Sequence, residues 1–230
     1  MANKKSDLLP RGFKARAERT AEDFRKELSL AVHAPLPSSV LATHLKVDLC
    51  PHPSFHSSKY PPFSDECSGA TILDAYGKPF IVYNVLHSLA RQESTLMHEL
   101  AHIICKHFEE NPYPGIAIPD NLRGHNPRHE AEAAYLGGCL QLPRVALVHI
   151  FKQRMTEDQI IEVYGASLEM VRYRMRITGV MKQMKKSEIN NSSGFIGVPI
   201  SQPIPFQQIL QFYPLSSGRD FEHQAQSFAS

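Results

Sequence analysis

The sequence predicts an α+β fold that is mainly helical and carries a small antiparallel sheet. Several segments repeat apolar residues at the helical period and are bounded by capping residues or prolines. Two short apolar runs, 70–75 and 79–84, flank a turn signal at 76–78, which is typical of a β-hairpin. Two short helical patterns joined by a turn containing Gly165 predict a helix-turn-helix-like unit near the C-terminus.

The N-terminal part is predicted to hold two helices ahead of the hairpin. The first covers residues 15–32 and ends before Pro35 and Pro37, because proline interrupts helical hydrogen bonding. Ser38 or Ser39 can then cap a short second helix, since either hydroxyl can accept a hydrogen bond from the first turn.

Three further helices are predicted in the centre of the chain. A long one covers residues 88–108, and another covers 128–142 after an irregular, proline-containing connection. The 128–142 helix is rich in small residues, so a neighbouring helix can approach it closely. A short helix follows at 143–152.

The helix-turn-helix-like unit has clear local signals. Thr156 and Gln159 form a capping-box pattern that opens one helix, and Gly165 ends it. Ser167 can cap the next helix, which covers residues 168–177.

Residues 98–102 read His-Glu-Leu-Ala-His, an H-E-x-x-H pattern inside the predicted long helix. Positions i and i+4 lie about 40° apart on one helix face, so His98 and His102 can bind one metal ion. Glu99 lies about 100° further round and can accept a proton from a water molecule at that ion. The alternative is two partly buried histidines with local hydrogen bonds. The apolar flanks make that less favoured, because such groups are costly to bury without a partner.

A third ligand is expected from the start of the 128–142 helix. Glu130 and Glu132 are about 200° apart on a helix, so only one can face the metal and the other is expected to be solvated. His129 is a further contender. Alternatively, neither carboxylate binds metal, and both lie at the helix N-terminus because negative charge is favoured there.

The chain resembles the ImmA/IrrE family of bacterial metallopeptidases over about residues 20–182. The strongest similarity is at residues 91–102, which include the H-E-x-x-H pattern. Residues 130–133, Glu-Ala-Glu-Ala, and 140–143, Leu-Gln-Leu-Pro, are similar to an E-x-E-A…L-x-x-P segment of that family. The chain has Ala134 where the family often has Asn.

The resemblance implies a zincin-like metallopeptidase domain. His98, His102 and Glu130 would hold Zn²⁺, with Mn²⁺ or a similar divalent ion as an alternative, and Glu99 would be the catalytic general base. The expected reaction is hydrolysis of a peptide bond in a regulatory protein, by resemblance a helix-turn-helix repressor. A strand edge from the 79–84 hairpin is a candidate for binding an extended peptide. The residues considered for stabilising the oxyanion are His125, Arg128, His129 and Tyr135.

A rival metal set lies earlier in the chain but lacks paired C-x-x-C spacing. Its members are Cys50, His52, His56 and Cys67. Cys105, three residues after His102, is expected to pack beside the active helix rather than to bind metal.

The predicted organisation is a flexible leader at 1–14, a metallopeptidase domain at 15–153, a helical subdomain at 154–186 and a disordered tail at 187–230. The subdomain carries a run of basic residues, Arg172, Arg174, Arg176, Lys182, Lys185 and Lys186. Packing of this unit on the catalytic core is favoured over contact with DNA.

Composition argues against several classes of protein. A net charge of +2 gives no global attraction to nucleic acid. Four cysteines are too few for a disulfide scaffold and suggest a reducing compartment. The charged start is unlike a secretory signal, and no apolar run is long enough for a membrane span. A cytoplasmic protein without a membrane partner is expected, and no oligomeric state follows.

Alternatives to the repressor peptidase are a non-catalytic metal-binding regulator of a repressor or DNA, and a toxin-like peptidase.

Overall fold

The helices and strands of this protein come from a computed structural model that describes residues 8–52, 68–74, 76–107 and 126–184. The elements in chain order are α1 (Phe13–Glu27), α2 (Ser38–Leu45), β1 (Asp48–His52), β2 (Gly69–Leu73), β3 (Pro79–Asn84), α3 (Leu89–Ile104), α4 (Pro127–Gln141), α5 (Arg144–Lys152), α6 (Glu157–Tyr164) and α7 (Leu168–Thr178). The α+β class is confirmed. The expected tail at 187–230 and the first seven residues of the expected leader lie outside the described residues.

The first helix is shorter than predicted because the backbone reverses directly after it. Ser29 adopts a left-handed conformation with φ 58°, and the N–H of Leu30 then donates to the carbonyl of Arg25. This local closure ends α1 at Glu27, five residues before the expected end.

The described sheet is mixed, so the prediction of an antiparallel sheet was wrong. The strand order is β1-β3-β2, with β1 parallel to β3 and β2 antiparallel to β3. Pro51 lies in β1 at the side of the described sheet, where proline is tolerated. β3 is therefore bonded on both sides, and the edge strand of this hairpin in the described sheet is β2.

The main core lies where α3 and α1 pack on α4 and the sheet covers α3. The fully buried side chains of this core include Ala21, Leu41, Ile81, Leu96, Met97, Leu100, Ala133, Cys139 and Leu140. Burial of these apolar groups supplies the main driving force for joining the two central helices.

The helices after α4 form where their capping signals predicted them. Thr156 accepts from the backbone of Gln159, whose side chain accepts from the backbone of Thr156, which completes the capping box. Gly165 ends α6 in a left-handed conformation, and Ser167 accepts from the backbone of Met170 at the start of α7. A second apolar cluster joins α5, α6 and α7.

Arg174, one member of the run of basic residues in this part of the chain, lies in the core. Its side chain is fully buried, its Nε donates to the carbonyl of Leu142 at 2.8 Å, and its Nη2 donates to Glu18 at 2.6 Å. Arg172 is exposed and pairs with Glu157 of α6. Lys185 and Lys186 lie outside the described residues.

No single helix among the described residues has the length and hydropathy needed to cross a membrane. Only α4 and α5, taken together as a bent pair, meet that length and composition. Most residues of α4 are buried in the core, and buried core helices often meet the same test.

Candidate metal centre

The H-E-x-x-H segment lies in the second half of α3, with one side of the helix in the core. The core-facing residues Met97, Leu100 and Ala101 are fully buried. Because the helix turns every 3.6 residues, His98 and His102 then lie one turn apart on another face. That face is turned toward the first turn of α4.

The structure brings the three predicted ligands together at this point. The Nε2 atoms of His98 and His102 are 3.1 Å apart. Glu130 places Oε2 at 3.3 Å from Nε2 of His98 and Oε1 at 3.4 Å from Nε2 of His102. The candidate ligand atoms all lie within 4.8 Å of one another.

These separations fit a tetrahedral metal ion. Zinc lies about 2.0–2.2 Å from nitrogen and oxygen ligands, and tetrahedral angles then separate the ligand atoms by about 3.3 Å. The side chains of His98, His102 and Glu130 are 31%, 17% and 36% exposed, so the cluster opens to solvent. The residues present therefore suit a metal with three protein ligands and one accessible position.

A glycine on α4 allows the two helices to approach this closely. A Cβ at Gly137 would lie 3.0 Å from the carbonyl oxygen of Met97 and 3.1 Å from Cα of His98. Any larger residue would press on the backbone that carries the first histidine. The small residues of this helix therefore determine how near Glu130 comes to α3.

Glu99 lies beside the cluster and is oriented by the sheet. Its carboxylate is mostly buried, and Oε2 accepts a hydrogen bond of 2.7 Å from the hydroxyl of Thr71 on β2. This contact restricts the rotamers of Glu99. Sequence reasoning missed Thr71, since no local pattern connects it with α3.

Glu132 is not solvated, contrary to the expectation for the carboxylate that does not face the metal. Its side chain is 9% exposed, and it accepts from Nε of Arg128 at 2.9 Å and lies 3.0 Å from Nε2 of His107. The other ring nitrogen of His107, Nδ1, lies 2.9 Å from Nδ1 of His102. A polar chain therefore extends from Arg128 to a candidate ligand.

His107 is a site residue that sequence reasoning missed. It follows the end of α3, where Lys106 adopts φ 61° and its N–H donates to the carbonyl of Ile103. This left-handed residue turns the chain back, so His107 returns to the side of His102. Its signal in the sequence was only a histidine shortly after the motif.

Burial and hydrogen bonding set the charges of His107 and Glu132. Burial lowers the pKa of His107 below its ordinary value, and the contact with Glu132 only partly offsets this. Burial alone would raise the pKa of Glu132, but hydrogen bonds from Arg128 and His107 outweigh it and lower that pKa. At neutral pH the pair therefore consists of a neutral imidazole and a carboxylate.

The candidates for stabilising an oxyanion occupy different places. Arg128 is bound to Glu132, and His129 stacks on His107 with ring centroids 4.2 Å apart. Tyr135 packs edge-on against Phe13 of α1 and under the guanidinium of Arg174, away from the face of α4 that carries Gly137. His125 lies outside the described residues.

The rival cysteine–histidine set lies partly outside the described residues, which do not include His56 and Cys67. Cys50 is buried as a free thiol, and burial raises its pKa to about 11. Cys105 is half-buried and packs against the main core, as expected.

Residues 51–176 match the profile of the Peptidase_M78 family, described as the IrrE N-terminal-like domain. The match spans both central helices and the sequence that carries the H-E-x-x-H pattern. No curated protein matches the chain. The match covers more than half of the sequence, and the chain therefore belongs to this family of metallopeptidases, with a possible metal-binding cluster at His98, His102 and Glu130.

Proposed function

We propose that this protein is a zinc-dependent endopeptidase that cleaves a regulatory protein. The observation that carries the proposal is the convergence of two imidazole nitrogens and a carboxylate, beside a second carboxylate held by Thr71. A purely structural metal site would not need Glu99. We further propose that α3 beside the sheet corresponds to a zincin-like arrangement.

The residues divide the chemistry between them. His98, His102 and Glu130 would hold a divalent ion, which would supply the Lewis acidity that acidifies a water molecule and polarises a peptide carbonyl. Glu99 accepts the proton of the attacking water and passes it to the leaving amine nitrogen. The hydrogen bond from Thr71 holds Glu99 in one orientation for both transfers. Zn²⁺ is the expected ion, and Mn²⁺ is the alternative.

The proposed substrate is a helix-turn-helix repressor, on the basis of the family resemblance. The free cysteines Cys50, Cys105 and Cys139 suit a reducing compartment, so we place the reaction in the cytoplasm. A non-catalytic regulator that binds a repressor or DNA is less favoured, because Glu99 would then have no role. A toxin-like peptidase would use the same residues.

The deciding variant is Glu99→Gln, which keeps the size of the side chain but cannot accept a proton. We expect it to retain one zinc per chain and to lose cleavage of a helix-turn-helix repressor that the wild type cuts by a factor of roughly 10²–10⁴. Elemental analysis and product mass spectrometry measure the two quantities.

The matched control is Glu162→Gln on the exposed face of α6, which should keep both zinc and cleavage. Cleavage by Glu99→Gln at the wild-type rate would contradict the assigned role. Zinc-loaded protein that binds the repressor without cutting it would favour the non-catalytic regulator. Toxicity on expression that disappears in Glu99→Gln would favour the toxin-like peptidase.

A further inference from the structure

We propose that His107 and Glu132 are positioning residues that hold His102 in the tautomer able to bind a metal, with a proton on Nδ1 and a lone pair on Nε2. This inference rests on the proposed metal centre and extends it to two residues outside the ligand set. Their role is to orient the ligand, and they do not touch the reacting atoms.

The two ring nitrogens of His102 face different groups. Nε2 points into the cluster, 3.1 Å from Nε2 of His98 and 3.4 Å from Glu130. Nδ1 lies 2.9 Å from Nδ1 of His107. A hydrogen bond between two ring nitrogens requires one protonated and one bare nitrogen, so His107 and the proton position on His102 are coupled.

Glu132 decides the direction of this hydrogen bond. An ionised carboxylate only accepts, so the Nε2 of His107, 3.0 Å away, must carry a hydrogen. The contact between the two Nδ1 atoms needs one hydrogen, and the tautomer of His107 with its hydrogen on Nε2 has a bare Nδ1 that accepts from Nδ1–H of His102. The remaining lone pair of His102 is on Nε2 and points toward Glu130.

The surroundings protect this arrangement from competing water. The side chains of His107 and Glu132 are only 7% and 9% exposed. His129 covers one face of the His107 ring with an interplanar angle of 3°. Arg128 donates to the other oxygen of Glu132 and keeps the carboxylate in place. A buried, fully bonded pair of this kind fixes both the tautomer and the orientation of a metal-binding imidazole.

Substitutions of His107 test the idea without changing the charge near the metal. His107→Phe keeps a ring but removes the acceptor, and we expect zinc affinity to fall about 10–100-fold. His107→Asn can place its amide oxygen near the former Nδ1 position and should recover part of this loss. Glu132→Gln should also weaken binding. Competition with a chromophoric chelator measures each affinity on the full chain.

The tautomers can be observed directly in the wild-type protein. Two-bond ¹H–¹⁵N correlation spectra at about pH 8, above the ordinary pKa of histidine, distinguish protonated from bare ring nitrogens. We expect Nδ1–H for His102 and Nε2–H for His107, both with zinc and without it. A proton on Nδ1 of His107 would overturn the inference, even if every variant failed to fold.

Failure of this inference can be told apart from failure of the proposed function. If Glu130→Gln loses zinc but His107→Phe binds it within about twofold of wild type, the metal centre stands and the positioning role is wrong. If neither wild type nor variants bind zinc, the proposed function fails, and this inference with it. Arg172→Gln is the control for charge, because it removes an exposed positive charge on α7 that pairs with Glu157, and it should keep the wild-type zinc affinity.

Discussion

Glu93 is a carboxyl group buried in α3, about a turn and a half before His98. The backbone N–H and the hydroxyl of Ser38 each donate to it at 2.9 Å, so it serves as the cap that α2 lacks in its own sequence. Burial nevertheless raises the pKa of Glu93 to about 7, and the bonds from Ser38 offset only part of this.

This residue makes stability depend on pH. The folded carboxyl keeps its proton up to about pH 7, whereas in the unfolded chain it ionises near 4.5. The protonated carboxyl therefore makes its full contribution to the free energy of unfolding below pH 4.5. That contribution is lost as the pH rises through 7. We expect the unfolding free energy of wild type minus that of Glu93→Gln to fall by about 2–3 kcal/mol between pH 5 and pH 8.

Urea unfolding of metal-free protein at several pH values checks this expectation. The chelator needed to remove metal also removes the separate pH dependence of metal binding. Glu162→Gln, an exposed carboxyl, is the control and should track the wild type at every pH. A difference that stays flat or rises with pH would show that Glu93 is ionised in the folded protein.

At the scale of elements, the site depends on how closely α4 lies against α3. Gly137 meets the backbone of Met97 and His98, which cannot move without displacing the helix. Gly138, the next residue, instead meets the side chain of Arg174, at 2.9 Å from its Cδ. Gly137 therefore faces α3 on the side of the metal cluster, whereas Gly138 faces α7, away from the cluster.

We expect Gly137→Ala to separate α4 from α3 and to cost about 1–3 kcal/mol of stability, as overpacking usually does. Zinc binding should weaken as well, because Glu130 moves with α4. Thermal unfolding and chelator competition measure the two effects.

Gly138→Ala is the matched control, since its methyl group would press on α7. It should lose stability but keep its zinc affinity. Equal zinc affinities for Gly137→Ala and wild type would mean that the helix spacing at this point does not determine the site.

At the scale of the molecule, two buried arginines fasten the end of α4. Arg25 donates to the carbonyls of Leu140, Ala21 and Ala34, and Arg174 donates to the carbonyl of Leu142. The carbonyls at a helix C-terminus have no partner within the helix, and cations are favoured there. Burial lowers the pKa of Arg25 to about 10, so it remains charged at neutral pH.

Arg174 also joins distant parts of the chain through Glu18. Replacing it with Met would leave Glu18, only 15% exposed, without its charged partner. We expect Arg174→Met to destabilise the protein by about 3 kcal/mol, as breaking a buried ion pair does. Denaturant unfolding measures the change.

Arg172→Met gives the comparison for a surface arginine, because the pair between Arg172 and Glu157 is more than half exposed on both sides. It should change stability by less than about 1 kcal/mol. If Arg174→Met destabilised the protein as little as Arg172→Met, the buried pair of Arg174 and Glu18 would contribute no more stability than a surface pair.

Much of the helical structure could be predicted because its causes are local. The capping box at Thr156 and the cap at Ser167 involve residues three positions apart. The spacing of His98 and His102 places them on one helix face for the same reason. Turn residues at 76–78 likewise predicted where β2 and β3 separate. None of these features depends on which distant segment packs nearby.

The tertiary structure alone decided the contacts between remote residues. It paired β1 with β3, buried Glu132 against His107 across 25 positions, and placed Arg174 against Glu18 across 156 positions. Such contacts depend on how whole helices and strands pack, and a residue's neighbours in the sequence carry little information about that. The sequence therefore determined which side chains could hold a metal, and packing determined which of them meet.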